Sequence, residues 1–160
     1  MEPEEVAELR TMFVFSPPPG QSWGLTFEGL EARLRERNPD TFIRVDDEGD
    51  GPVRGASMIF GITLDDEALE GFASLEPEGV SVLDCNARLA ARIALWLRDN
   101  VAPADIPVMF NTEWGIEEGL ERALVPDAAR PRITAAFVKH IEETGGLDCQ
   151  ERGGRNPGSA

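Results

Sequence analysis

Residues 68–75 read ALEGFASL, and whether they form a strand or a helix decides the fold. Leu69, Gly71, Ala73 and Leu75 alternate with the period of a half-buried strand, while Leu69, Phe72 and Ala73 also fit one face of a short helix. The four residues that follow, EPEG at 76–79, put proline at the second position of a tight turn, which favours the strand. VSVLDC (80–85) then forms the next strand. Upstream, TFIRV (41–45) is β-branched and aromatic, DDEGDG (46–51) turns the chain, and VRGASMIFGITL (53–64) is long enough for a strand with an irregularity at Gly55 or Gly61. With a second turn at DDE (65–67), this predicts a meander of four neighbouring antiparallel strands.

The flanks switch to helical periodicity. TMFVFS (11–16) is a short apolar run stopped by Pro17, Pro18, Pro19 and Gly20, as for a buried strand entering a stiff corner. Phe27, Leu30 and Leu34 then lie on one helical face, with Thr26 as N-cap and Asn38-Pro39 as the stop. Asn86 caps the best helix, whose stripe is Leu89, Ile93, Trp96, Leu97 and Val101. A strand at VMFN (108–111) precedes a short helix. A last helix starts near Pro131 and carries Ile133, Ala136, Phe137, His140 and Ile141 on one face. The predicted order is β-α-β-β-β-β-α-β-α-α: an α+β fold with a single antiparallel-dominated sheet and its helices packed on one face, in one domain spanning residues 1–144. Residues 145–160, GGLDCQERGGRNPGSA, are Gly-rich without periodicity and are expected to be a flexible tail. The order of elements, and nothing at the level of residues, resembles one repeat of the TATA-binding-protein-like fold.

One phrase occurs twice. SWGLTFEGLEARL (22–34) and EWGIEEGLERAL (113–124) share Trp-Gly, an aliphatic residue, Glu-Gly-Leu-Glu and a Leu three positions on, and each follows an apolar run. One reading is a helix-entry device: an indole folded onto the first turn, Gly24 and Gly115 allowing the tight turn beneath it, and Gly29 and Gly119 allowing close approach. The other places Trp23 and Trp114 on one rim at the ends of neighbouring strands, as anchors for a ligand or partner.

The charge is strongly acidic. The 160 residues carry a net charge of −15, with 18 acids against 6 arginines in residues 1–80 and 12 against 9 basic groups beyond them. A field of this sign repels phosphate backbones and anionic membrane surfaces and attracts a basic partner. Arg outnumbers Lys 14 to 1, the mark of a GC-rich, bacterial type of genome. Cys85 and Cys149 form no Cys-x-x-Cys pair, the chain start is acidic, and no apolar stretch approaches bilayer length; a cytoplasmic protein is expected.

Most catalytic chemistries find no footing. One His and two Cys make a zinc site improbable, and no phosphate-binding glycine loop exists, so neither metal nor cofactor is expected. DDEGDG echoes a calcium loop, but its twelfth position is Ser57 and its seventh Pro52, so a charged hairpin tip is the better reading. A nucleophile is conceivable at Cys85, where a strand meets a helix N-terminus, with Asp84 beside it and His140 as base; the competing reading makes Cys85 an inert core thiol. The resulting expectation is a non-enzymatic interaction domain, immunity- or antitoxin-like, that binds a basic protein through Asp46, Asp47, Asp50, Asp65 and Asp66, anchored by Trp23 and Trp114. The alternative is a small-molecule-binding regulatory domain with its pocket between the sheet and the loop at residues 17–23; a cysteine-dependent enzyme comes third.

Overall fold

Residues 68–75 lie inside a strand. In the computed structural model, which describes residues 2–46, 57–64, 66–75 and 78–144, the elements run α1 (Pro3–Val6), β1 (Thr11–Ser16), α2 (Phe27–Arg37), β2 (Ile43–Asp46), β3 (Ser57–Leu64), β4 (Glu67–Leu75), β5 (Glu78–Cys85), α3 (Ala87–Asn100), β6 (Met109–Thr112), α4 (Glu113–Glu117), β7 (Ala123–Leu124) and α5 (Arg130–Glu143). The strand reading of residues 68–75 wins because β3 and β5 pair on both sides of it, so its alternation buries Leu69 and Ala73 on one face. The fold is the expected α+β arrangement, one sheet ordered β2-β3-β4-β5-β1-β6-β7 in which every pairing is antiparallel. Two elements escaped the sequence reading, the four-residue α1 and the two-residue β7; both are too short to carry a period. The expected tail, 145–160, lies outside the described residues.

One face of the sheet is buried under helices. Met58, Phe60, Ile62, Val80, Val82, Phe13, Phe15 and Phe110 project into a single core together with Leu30 and Leu34 of α2, Ile93 and Leu97 of α3, and Ile133, Phe137 and Ile141 of α5. Phe137 is the keystone. Its ring centroid lies 4.4 Å from that of Phe110, 5.2 Å from Phe13 and 6.2 Å from Phe15, so one helical side chain grips two neighbouring strands. Tilted ring pairs at this range add about 0.5–1.5 kcal/mol each to the apolar burial. Thr26 and Asn86 cap α2 and α3 as expected, their side chains accepting the amides of Gly29 and Leu89 at 3.0 and 2.9 Å.

A bulge changes the parity of β5. Phe13 pairs with Val82 but Thr11 pairs with Cys85, so two steps on β1 oppose three on β5. The extra length is taken up at Asp84, whose φ is +48°. Val80 and Val82 face the core, and after the bulge Cys85 does so as well, leaving Asp84 exposed. Arg10 secures the corner by donating to the Asp84 carbonyl at 2.7 Å and pairing with the Glu67 carboxylate at 2.6 Å.

Gly71 is required by the packing of the same face. A Cβ there would lie 2.6 Å from the Phe60 ring and 2.8 Å from the Ser81 carbonyl oxygen, and the backbone oxygen cannot yield. Gly71→Ala is therefore expected to lower unfolding stability by about 1–3 kcal/mol, read as a shift in the urea midpoint at constant slope. An unchanged midpoint would show that β3 and β4 are packed more loosely than this contact implies.

Candidate functional site

Among the described residues, the other face of the sheet has no helical layer. Register places Phe72, Ser81, Val14 and Asn111 side by side across β4, β5, β1 and β6, all pointing away from the helices. Beside them Ser74 pairs with Gly79 and Ser16 with Met109. An exposed sheet face ordinarily carries long charged side chains. This stretch carries small hydroxyls, an amide, a glycine and three apolar groups, and it floors a cavity of about 720 Å³. That volume falls within the ~300–1,000 Å³ typical of small-molecule pockets.

The wall is built by the chain after β6. Thr112 caps α4, its hydroxyl accepting the Gly115 amide at 3.1 Å. The helix stops after five residues, and Gly119, at φ +75°, reverses the chain so that Ile116 and Leu120 overhang the cavity. Asn111 ties this return down, donating from Nδ2 to the Leu120 carbonyl at 3.0 Å while Oδ1 accepts the Thr112 amide at 2.8 Å. Arg122 closes one end. Its Nη1 donates to Ser16 Oγ and to the Pro17 carbonyl, both at 3.0 Å. At the same end of the strands, next to Gly79, which lies against Ser16, the Glu78 carboxylate accepts the amides of Trp23 at 3.1 Å and Leu25 at 2.8 Å.

Ser81 stands out on the floor. It is only 6% exposed, yet its hydroxyl has no hydrogen-bond partner among the described residues and opens into the cavity. Nearly buried hydroxyls normally find a partner within the protein. The cavity also borders the loop expected to shape a pocket, through Pro19.

The two tryptophans do not share a rim. Strands β1 and β6 are antiparallel, so the strand ends that precede the two Trp-Gly pairs point in opposite directions. Trp23 lies beside the start of β6, its indole N–H donating to the Pro107 carbonyl at 3.2 Å. Trp114 follows the end of β6, about 17 Å away along a five-residue extended path. Trp23 is 4% exposed, and Trp114 packs half-buried against the core. The repeated phrase also misaligns the two sites. Trp23 precedes the N-cap of α2, whereas Trp114 is inside α4. What recurs in three dimensions is Thr-x-x-Gly, TFEG at 26–29 and TEWG at 112–115, in which each threonine caps the glycine three residues on. Gly115 has a further reason to be glycine: a Cβ there would collide with Asn111 Oδ1 and press on the His140 ring.

The suspected nucleophile is not assembled. Cys85 is fully buried and its Sγ donates to the Asn86 carbonyl at 3.4 Å; burial, aided by the charges of Glu67 and Asp84 against that of Arg10, pushes the thiol up to about 12. Asp84 is turned outward by the bulge. His140 Nε2 lies 3.0 Å from Thr112 Oγ1 and its ring meets Phe110 edge-on at 5.0 Å. Of the acidic candidates, Asp46 ends β2 opposite Ser57, and Asp66 is exposed in the β3–β4 turn at φ +64°. Asp47, Asp50 and Asp65 lie outside the described residues. Among the described residues no group of three His, Cys, Asp or Glu is gathered closely enough to hold a metal ion, and no helix is long and apolar enough to cross a membrane. Compared with protein-family models, curated proteins and solved structures, the chain finds no match.

Sequence reasoning missed Ser16, Ser81, Asn111 and Arg122 as site residues. The signal was present in the alternation: on β1, β4, β5 and β6 the positions opposite the core are Val14, Ser74, Ser81 and Asn111, uncharged where solvent would call for charge.

His140 supplies a testable link between the core and the cavity wall. Burial pushes its imidazole below the ordinary value of 6.5, against a weaker opposing pull from Glu143. The unfolded chain therefore takes up the proton first as pH falls. Stability from this site is complete above about pH 6.5 and is lost as pH drops through the lowered folded value. His140→Gln is expected to remove the pH dependence of the urea midpoint just below pH 6.5. An identical slope in the variant would assign that dependence to other groups.

Proposed function

We propose that the chain is a small-molecule-binding domain of regulatory type, which seats its ligand on the uncovered sheet face between β4, β5, β1 and β6 and the overhang formed by Ile116 and Leu120. The observation that carries this reading is the Ser81 hydroxyl, nearly buried and without a protein partner at the floor of a cavity of about 720 Å³. A ligand group that bonds this hydroxyl replaces the solvent it meets in the open cavity, a net gain of about 0.5–1.5 kcal/mol. The lining mixes Val14, Phe72, Met109, Ile116 and Leu120 with a few polar groups, the balance that lets apolar area supply affinity and hydrogen bonds supply orientation. Binding rather than catalysis is favoured because Cys85 is held as a neutral thiol in the core and His140 is engaged with Thr112.

Two variants separate binding from packing. Ser81→Ala removes no protein hydrogen bond, so its stability is expected to stay within about 0.5 kcal/mol of the parent. Its affinity for a ligand found by thermal-shift screening of amphipathic metabolites is expected to fall roughly five- to tenfold, one neutral hydrogen bond's worth. Val14→Trp fills the cavity from its floor and is expected to abolish the ligand-induced rise in Tm. If both variants respond to ligand as the parent does, the site lies elsewhere.

The net charge of −15 supports a second reading, in which the acidic surface steers a basic protein onto the domain. Trp23, buried in the core, offers it little surface, and Trp114 is half-buried. Association of this kind weakens steeply with ionic strength, whereas occupancy of the cavity by an apolar body does not.

A further inference from the structure

We infer that the ligand of the sheet-face cavity is an amphipathic carboxylate, its acid group taken by the Arg122 guanidinium and its apolar body laid along Val14, Phe72, Met109 and Leu120. This rests on the binding-domain reading and adds the chemistry of the head group.

The inference comes from which of the five guanidinium hydrogens are in use. Both N–H groups of Nη1 are spent, one on Ser16 Oγ and one on the Pro17 carbonyl, each at 3.0 Å. That pair of bonds fixes the plane of the group at the end of the cavity. It leaves the Nε and Nη2 hydrogens, which lie along one edge as a two-pronged fork matched to the two oxygens of a carboxylate. No carboxylate of the described residues pairs with Arg122, although the chain holds 30 acids against 15 basic groups. In so acidic a protein an arginine held by neutral acceptors at a cavity wall keeps a charge available for a ligand.

Two carboxylates, Glu78 and Glu121, line the cavity beside Arg122, and neither is paired with it. Glu78 accepts two backbone amides, which turn its carboxylate toward the Trp23–Leu25 segment. Glu121 adjoins Arg122 in sequence and also lines the cavity; it is exposed and makes no ion pair with Arg122. The distant acids that give the net charge are attenuated over about 8 Å at physiological salt, so direct contact with Arg122 outweighs them. The remaining polar groups suit an acid as well. Ser81 donates from a free hydroxyl, and Asn111 Nδ2 has one hydrogen beyond that spent on the Leu120 carbonyl.

Three ten-carbon probes that differ only in the head group test this: decanoate, decan-1-ol and decylammonium, titrated calorimetrically below their micelle concentrations into the full chain. Decanoate is expected to bind at least tenfold more tightly than decanol, and decylammonium more weakly than either. Arg122→Gln is expected to cost decanoate tenfold or more while leaving decanol within twofold, and Arg122→Lys to restore part of the loss. Decanol matching decanoate, decylammonium binding tightest, or Arg122→Gln weakening decanoate and decanol equally would each overturn the carboxylate assignment while leaving a binding cavity in place; the last would mean that Arg122 only builds the wall. Failure of all three probes to bind, the two ions up to millimolar concentration and decanol up to its solubility limit, overturns the cavity reading, and the head-group assignment with it.

Discussion

Phe137 reaches from α5 into the angle between β1 and β6, where it meets Phe13, Phe15 and Phe110. The rest of the molecule hangs from that grip. One turn further along α5, His140 is brought against Thr112, and Thr112 caps the helix that starts the cavity wall. Gly115 packs so closely against Asn111 and His140 that a side chain there would push the first turn of α4 out of place. From there the chain returns over the sheet, with Asn111 holding Leu120 and Arg122 holding Ser16 and Pro17. A hydrophobic contact on the covered face thus sets the shape of the uncovered one.

The chain builds one layer of helices for two faces of sheet. An antiparallel sheet tolerates this when its second face is wetted, and the edges of this face are: Arg44 and Glu70 are exposed there. The middle is different. Small residues at Gly79, Ser81 and Ser16 lower the floor, and the return after α4 raises a wall beside it. The result is a concave site whose floor belongs to the most extensively paired strands and whose wall belongs to a short helix and a turn. Rigid floor and lighter wall are the usual division between an element that orients a ligand and one that admits it.

The repeated Trp-Gly phrase illustrates how residue identity and geometry can part. Aligned on tryptophan, the two copies suggest one device used twice. The backbone aligns instead on threonine, because an N-cap is defined by where a hydroxyl accepts the amide three residues on. Shifted to that register, the first indole precedes its cap and folds into the core, and the second lies within the first helical turn. The antiparallel sense of β1 and β6 then separates them, a consequence of pairing that no local phrase records.

The sequence by itself determined the longer elements and the fold class. Alternation in residues 68–75 and 80–85, helical stripes after Thr26, Asn86 and Pro131, and the turns between them depend on contacts within a few residues, so local pattern suffices to read them. A buried Cys85 was one of the sequence readings, but the outward turn of Asp84 beside it was not, because the bulge that separates them exists only where β5 meets β1. The same holds for the cavity. Ser16, Ser81, Asn111 and Arg122 come from β1, β5, β6 and the turn after α4, and each is an unremarkable polar residue in its own segment. Only the strand order β4-β5-β1-β6, a matter of long-range pairing, places them around one space.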